Sequence, residues 1–429
     1  MAWLAVFFTF ALGPLQWITL LDVGLALKPM HPPFFLAAAI GWFRFSQGRV
    51  SMELVRAVLP FIILYGSYLT ILLLSVLWGG TLVFTLKYTI YFVCALGFMF
   101  LLSTYEHDEL MRLLFWSGTS ASLFFIGVAA ITLAAKGVNL VEVITRALLT
   151  GNPRLLQFMV FRNLFNNPES LDGNTVGVAL RHTSLGFVYI GFMLAAATAR
   201  RSVLSWTALF IAGSIILISV SRSLTITVLL AFSPLGFGLI RKFPATTMFA
   251  SLGLVLSILL LPYVANFSGV SQIVEERFSS LGEDGRISMF DIAMGLVNDR
   301  PLLGYGAGFY YDYGGHKQHQ VHNLFLGAWI QGGLFCLAIA ICFKLFLVTL
   351  YVKRLVFYIG EPAKICLLAI LVLPLFRTQI SGSGGNYNLP EWICIAIVLA
   401  LFAVAPKSEE DEEDAQRQAS LARHRATIA

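Results

Sequence analysis

Long apolar runs recur along almost the whole chain and constrain its fold more than any other feature. A helix needs about 20 apolar residues to cross the hydrocarbon core of a bilayer, and about twelve runs come near that length. Only 12% of the residues are charged and 58% are hydrophobic, whereas a soluble domain carries about a quarter of charged residues. The sequence therefore predicts an all-α polytopic membrane protein.

The predicted fold has about twelve transmembrane helices, the second of them short and either tilted or re-entrant. The predicted spans are Trp3–Leu21, Pro32–Phe45, Ala57–Trp78, Leu82–Ser103, Leu113–Ala135, Val176–Ala199, Val203–Val220, Leu224–Ile240, Ala245–Val264, Asn323–Leu350, Ile365–Ile380 and Trp392–Ala405. They form one membrane domain, residues 1–406. The charged tail, residues 407–429, is expected to be a disordered cytoplasmic segment.

Basic residues concentrate in alternate short loops, after the second, sixth, eighth and tenth spans. By the positive-inside rule, both termini are expected in the cytoplasm. Two long segments, Lys136–Asn174 and residues 266–321, then fall outside. The net charge of +6 gives no indication of nucleic-acid binding, because the basic residues are scattered between apolar runs.

The first long outer segment, Lys136–Asn174, carries Arg146, Arg154 and Arg162 among apolar residues. This pattern is typical of a basic amphipathic segment that lies on the membrane surface. A peripheral anchor without any chemical role explains the pattern equally well.

The second long outer segment leads into a stretch, Arg286–Gly333, that is rich in Gly, Tyr, His and Arg. Ile287, Phe290, Met294 and Val297 recur at helical spacing, which predicts an amphipathic helix ended by Pro301. The following GYGAGFYYDYGG predicts a flexible loop, whose glycines would allow mobility and close approach of a substrate.

Three arginines, Arg181, Arg222 and Arg377, lie within apolar runs and toward the predicted outer side. A charge at membrane depth is costly and needs a partner, a wet cavity or a function. Guanidinium groups suit a phosphate or diphosphate, because they donate paired, charge-assisted hydrogen bonds. The alternative is that these side chains snorkel to the interface, above all that of Arg377.

Three histidines, His316, His319 and His322, precede the tenth span. His322 has the pKa range for proton transfer near neutrality, although it could instead cap the helix. A metal site is not expected, because Gly314-Gly315 interrupts any helix here and no nearby Glu or Cys completes a ligand set.

Several of these residues together resemble the signature of the O-antigen ligase and O-antigen polymerase family. The family pattern is an Arg, an aromatic residue, a P-x-x-G-x-G-x-G turn, a His-Asn pair and a span with glycines. The corresponding residues are Arg286, Phe290, Pro301, Gly304, Gly306, Gly308, His322, Asn323 and Gly332-Gly333. Ser221-Arg222-Ser223 is similar to the family's Ser-Arg element. The family often has His-Pro-His-Asn, and Gln320 replaces the first of those histidines. The resemblance covers residues of about 205–345.

This resemblance implies a GT-C-like architecture with a large periplasmic loop between spans nine and ten. It implies transfer of a glycan from an undecaprenyl-diphosphate carrier to an acceptor glycan or lipid A-core, at the outer face of a bacterial inner membrane. No cofactor or metal is implied, and ligase and polymerase are not distinguished. Arg181 and Arg222 would hold the diphosphate, and His322 would orient or deprotonate the acceptor. The further substrate contacts expected are Arg286, Arg300, His319, Tyr305, Tyr310 and Arg377.

Two other classes of function remain open. A transporter or flippase of lipid-linked polysaccharide would also be polytopic, but transporters favour internal repeats and broken helices with charges at mid-membrane. No repeat is visible in the sequence. A membrane scaffold without chemistry would leave Arg181 and Arg222 without a role.

Overall fold

The structure is a computed structural model in which the polypeptide can be described for most of its length. The described residues are 1–15, 20–22, 26–135, 137–150, 184–199, 202–218, 222–242, 285–309, 311–313, 316–319, 323–379 and 387–404. The predicted ninth span, Ala245–Val264, and the predicted tail, residues 407–429, lie outside the described residues.

Helices dominate the described part of the chain. They are α1 Ala2–Ala11, α2 His31–Ser46, α3 Met52–Leu74, α4 Leu82–Leu102, α5 His107–Ala135, α6 Leu140–Thr150, α7 Ser184–Thr198, α8 Val203–Ile218, α9 Arg222–Lys242, α10 Gly285–Asp299, α11 Leu324–Phe357, α12 Pro362–Ala369, α13 Val372–Phe376 and α14 Leu389–Phe402. Two short antiparallel hairpins add the strands β1 Leu21–Asp22, β2 Ala26–Leu27, β3 Tyr311–Tyr313 and β4 His316–His319.

Four helical segments are long and apolar enough to cross a membrane: Met52–Trp78, Leu82–Leu102, His107–Ala134 and Leu324–Phe357. Large apolar side chains on their surfaces are exposed, among them Ile63, Phe335 and Leu345. Such a surface is stable in lipid and not in water. The prediction of a helical integral membrane protein is therefore confirmed.

Several other predicted spans are shorter or broken in the structure. Helix α1 ends at Ala11 and is followed by a 3-10 turn at Gly13–Leu15, so the predicted span Trp3–Leu21 is not one helix. The predicted eleventh span divides into α12, α13 and a 3-10 turn at Arg377–Gln379. Helix α14 has 14 residues, a length of about 21 Å, and does not cross a 30 Å hydrocarbon core alone.

One end of the bundle, here called the basic end, collects the cationic helix termini. Arg44 in the last turn of α2 binds the Thr104 hydroxyl and lies 5.2 Å from the Tyr105 ring centroid, just beyond α4. Arg354 near the end of α11 donates to the carbonyls of Phe402 and Ala403, at 2.7 and 3.1 Å. The opposite end, here called the turn end, carries the connection between α3 and α4 and the chain that leads into α11.

Aromatic side chains fill the interior between α3, α4, α11 and α14. The Tyr65 ring lies 4.7 Å from the Trp392 ring and 5.2 Å from the Phe343 ring, and Phe61 and Phe92 join the same cluster. Tyr65 lies about 15 Å along α3 from the Ser75 turn. The cluster therefore lies about halfway between the basic end and the turn end, at the middle of the bundle.

The two predicted amphipathic segments are both partly helical. Arg146 pairs with Glu142 at 2.8 Å on the exposed side of α6. In α10, Ala293 and Val297 are buried against Leu326 and Ile330 of α11. Phe290 is 50% exposed, so its predicted place on the same buried face as Val297 is wrong.

Candidate functional site

Helix α11 is broken at Gly332 and Gly333, a short distance inside the turn end. Gly332 has φ −128° and ψ 15°, and Gly333 has φ 68° and ψ −163°, which are not helical values. A break of this kind leaves backbone carbonyls and amides without their intrahelical partners. Those groups need partners from another segment.

The turn Pro301–Phe309, here called the glycine turn, supplies those partners. The amides of Tyr305 and Gly306 donate to the carbonyls of Ile330 and Gln331, at 2.7 and 2.9 Å. In return the Leu334 amide donates to the Pro301 carbonyl at 2.9 Å. The break in α11 and the glycine turn therefore stabilise each other.

The glycine turn is also fastened to the connection between α3 and α4. The Ala307 amide donates to Ser75 Oγ at 2.8 Å, and the Thr81 amide donates to the Ala307 carbonyl at 2.7 Å. Trp78 Nε1 donates to the Leu303 carbonyl at 3.1 Å. The turn therefore joins the N-terminal half of the chain to α11.

The glycines of this turn are required by packing against protein backbone. A Cβ at Gly306, where φ is +100°, would lie 2.2 Å from the Gly80 amide nitrogen. A Cβ at Gly304, where φ is +66°, would lie 2.5 Å from the Ile330 carbonyl oxygen. The expectation that these glycines serve mobility and substrate approach is therefore wrong for the described part, Pro301–Phe309. The group that approaches these glycines closely is the protein's own backbone.

Removing the Ser75 hydroxyl tests this second attachment. Ser75 is fully buried, and its Oγ accepts from Ala307 while donating to the Leu72 carbonyl at 2.6 Å. Ser75→Ala leaves a buried amide without an acceptor, so we expect a loss of about 1–3 kcal/mol of stability. Thermal unfolding of the detergent-solubilised protein measures it.

Ser46→Ala is the matched control, because exposed Ser46 donates the same kind of bond to the carbonyl three residues back and accepts none from the part of the chain that the structure describes. Equal melting temperatures for the two variants would contradict this role of Ser75.

A charged and two aromatic side chains pack together where the chain enters the glycine turn. Arg300 lies 4.7 Å from the Tyr305 ring centroid, and the Tyr305 ring stacks on Phe309 at 4.4 Å. The Tyr305 hydroxyl donates to Asp299 Oδ2 at 2.6 Å. This bond to a carboxylate raises the pKa of Tyr305 above its ordinary value. Tyr305 therefore remains a neutral donor at physiological pH.

Some of the other predicted site residues lie on described elements, and others lie outside the described residues. Arg222 is the first residue of α9, two residues before the start of the predicted span Leu224–Ile240, and Arg286 is the second residue of α10. His319 is the last residue of β4, which pairs with β3. Arg181, Tyr310 and His322 lie outside the described residues.

The residue that caps α11 is Asn323. Its side-chain oxygen accepts from the amides of Phe325 and Leu326, both at 3.0 Å. The first turn of the helix is thereby satisfied without the preceding histidine. The alternative in which His322 is the helix cap is therefore wrong.

Two helices, α7 and α9, follow or begin at a predicted site arginine and pack against the predicted eleventh span, which is divided into α12, α13 and a 3-10 turn. Helix α9, which begins at Arg222, packs against α7, α13 and the 3-10 turn Arg377–Gln379. Helix α7 begins at Ser184, three residues after Arg181. A Cβ at Gly186 in its first turn would lie 3.5 Å from Arg377 Nη1. The structure thus places Arg377 beside the first turn of α7 and packs α7 against the helix that begins at Arg222.

Arg377 itself is 3% exposed. Its neighbour Thr378 contacts Lys344 of α11 at 2.7 Å, close to the aromatic cluster that marks the bundle's middle. The alternative in which Arg377 snorkels to the interface is therefore wrong. Lys344 lies about 16 Å along α11 beyond the break at Gly333, so the structure does not bring Arg377 to the turn end of α11.

Four polar residues near these elements were not singled out from the sequence: Ser75, Gln331, Lys344 and Glu391. Lys344 and Glu391 stand inside apolar runs, which is a visible signal. The sequence around Ser75 and Gln331 gives no such signal, because the hydrogen-bond partners of these residues are distant in sequence. Within the described ranges no group of three His, Cys, Asp or Glu residues could hold a metal ion.

The fold and this site define a class: a helical integral membrane protein whose glycine-rich turn is locked into a broken span. Residues 207–341 match the model of the family described as O-Antigen ligase. The match covers most of α8, all of α9 and α10, the glycine turn and the break in α11. About a third of the chain thus matches the O-antigen ligase family, and this match supports a membrane enzyme of O-antigen assembly. The search of curated proteins gave no match.

Proposed function

We propose that this protein is a membrane glycosyltransferase that moves a glycan from an undecaprenyl-diphosphate carrier to an acceptor sugar hydroxyl. The observation that carries the proposal is the family match over residues 207–341, which includes both the start of α9 and the glycine turn. The protein would act in O-antigen or exopolysaccharide assembly, as a ligase or a polymerase. It would work at the periplasmic face of the bacterial inner membrane, without a metal or cofactor.

The donor's diphosphate would be held by Arg181 and Arg222. Support comes from the packing of α7 and α9, because the helix that starts at Arg222 lies against the one that follows Arg181. Guanidinium groups bind diphosphate oxygens through paired hydrogen bonds. They also stabilise the charge that develops on the leaving diphosphate.

The transfer step would use His322 as a general base. The acceptor hydroxyl oxygen attacks the anomeric carbon, its proton passes to the imidazole, and the bond from that carbon to the diphosphate oxygen breaks. Undecaprenyl diphosphate leaves, and the anomeric configuration inverts. A histidine suits this step because its pKa lies near neutrality.

The glycan would be contacted by residues around the glycine turn. Arg300 is exposed and Tyr305 is half-buried. The two side chains contact each other, and Asp299 accepts a hydrogen bond from the Tyr305 hydroxyl. Such ordered side chains lose little entropy when they bind a sugar. Arg286, His319 and Tyr310 complete the proposed contact set.

Reconstitution tests the proposed reaction directly. The purified protein is placed in liposomes with a lipid-diphosphate-linked glycan and two acceptors, a lipid A-core and a second lipid-linked repeat unit. We expect transfer to one of them, measured by mass spectrometry of the products. Transfer to the core lipid identifies a ligase, and chain extension identifies a polymerase.

A transporter of lipid-linked polysaccharide is the second candidate, and one observation favours it. The predicted eleventh span is divided into α12 and α13, and three charged residues are buried beside this division: Lys344, Arg377 and Glu391. Charges next to a discontinuous helix are a feature of transporters. In the same liposomes, movement of the intact lipid-linked glycan across the bilayer without any transfer product would favour this candidate and contradict the enzyme.

A further inference from the structure

We propose that Lys344 is a positioning residue that, together with Glu391, holds the end of the broken eleventh span and the Arg377 guanidinium beside α7. The family match ends at residue 341, before any of these three residues. The proposal rests on the proposed function, since it concerns the electrostatic support of the diphosphate site. It adds a buried charged cluster, Lys344, Arg377 and Glu391, to that site.

Lys344 makes direct hydrogen bonds to the residues on either side of Arg377. Its Nζ donates to the Pro374 carbonyl at 2.6 Å and to Thr378 Oγ1 at 2.7 Å. Thr378 Oγ1 also donates to the Pro374 carbonyl at 2.8 Å. A buried ammonium with these two oxygen partners fixes the path of the chain through Arg377.

The position of Lys344 also suits the backbone of α13. The last carbonyls of a helix have no intrahelical donors, and Pro374 contributes one of them. A cation at this end is favoured by the direction of the peptide dipoles. Lys344 therefore stabilises the end of a five-residue helix that has too few internal bonds to be stable alone.

Glu391 supplies the counter-charge for this cluster. It is 1% exposed, and its Oε2 accepts from the Asn388 amide at 2.7 Å, where it caps the first turn of α14. Glu391 interacts electrostatically with both Arg377 and Lys344. An isolated charge at this depth would be strongly unfavourable, so the carboxylate allows both cations to be buried.

When all three groups are ionised, they carry one net positive charge. With Lys344 in place, α13 is anchored, and Arg377 lies near Gly186 in the first turn of α7. Without Lys344, the chain through Arg377 loses the two hydrogen bonds that fix its path, so the guanidinium is no longer held beside Gly186. A cation that is not held at the start of α7, where the donor diphosphate would bind, contributes less to binding it.

The first test is kinetic and uses the full-length protein in liposomes. We expect Lys344→Met to raise the KM for a lipid-diphosphate-linked glycan about tenfold or more, with a smaller change in kcat. Lys344→Arg is expected to restore most of the loss, because a guanidinium can donate to the same two oxygens. The control is Lys353→Met, an exposed lysine on the same helix, which should leave both constants unchanged.

The second test does not depend on catalysis. Melting temperatures of Lys344→Met, Glu391→Gln and the double variant form a double-mutant cycle. We expect the double variant to be at least as stable as Glu391→Gln alone, because Glu391→Gln leaves two buried cations without a counter-charge and Lys344→Met removes one of them.

The outcomes separate the two proposals. Additive losses of stability would refute the charged cluster. Coupled stabilities together with unchanged KM and kcat in Lys344→Met would refute the positioning role alone. A wild-type protein that transfers no glycan from any lipid diphosphate would refute the proposed function and this role with it, whereas the cycle would still report on the cluster.

Discussion

Replacing His322 by alanine is expected to lower the rate of glycan transfer about 10²–10⁴-fold, the usual contribution of a general base. The fold should survive, because the first turn of α11 is capped by Asn323. The measurement is the transfer rate in liposomes at saturating lipid-linked donor. The amount of folded protein is followed by size-exclusion chromatography in detergent.

His107→Ala is the matched control for this prediction. His107 is exposed and is the first residue of α5, and we expect its loss to leave transfer unchanged. A normal rate in His322→Ala would remove the proposed base from the mechanism. A variant that fails to fold would contradict the assignment of the cap to Asn323.

Much of the helical architecture follows from the sequence because it depends on local composition. The predicted spans Leu82–Ser103 and Asn323–Leu350 correspond to α4 and α11, whose apolar runs are long enough to cross a bilayer. The predicted span Leu224–Ile240 lies within α9, which begins at Arg222. In each case the apolar run and its flanking polar residues determine the element.

The broken spans could not be predicted in this way. The run from Ile365 to Ile380 is apolar enough for a span, yet it divides into α12 and α13. Its second half accepts two hydrogen bonds from Lys344, which comes from another helix. The average hydropathy of a short stretch of sequence contains no information about a hydrogen-bond partner that is distant in sequence.

In the candidate site, too, the features that depend on local sequence were predicted and the contacts between distant residues were not. The glycine turn was recognised from its spacing, but its glycines were assigned to mobility. Their actual contacts are with Gly80 and with the broken part of α11, at Ile330. The pairing of Ala307 with Ser75 joins residues far apart in the chain, so only the tertiary structure identifies it.

Replacing Gly333 by alanine is expected to prevent most of the protein from folding. Its φ of +68° is costly for any other residue, and a Cβ there would lie 1.9 Å from the Leu302 carbonyl oxygen. The strain of φ alone is about 1–3 kcal/mol. The clash would in addition push the glycine turn off α11 and leave buried amides unpaired, so we expect a total loss of about 3 kcal/mol or more.

Gly295→Ala is the control for the Gly333 change, because it lies in α10 with no atom within 4 Å of an added Cβ. In a helix interior the added methyl group should be neutral or stabilise by about 0.5–1 kcal/mol. Membrane yield and melting temperature in detergent are compared for both variants. If Gly333→Ala folds with the wild-type melting temperature, the glycine turn does not depend on this close approach, and the mutual stabilisation of the turn and the helix break must be abandoned.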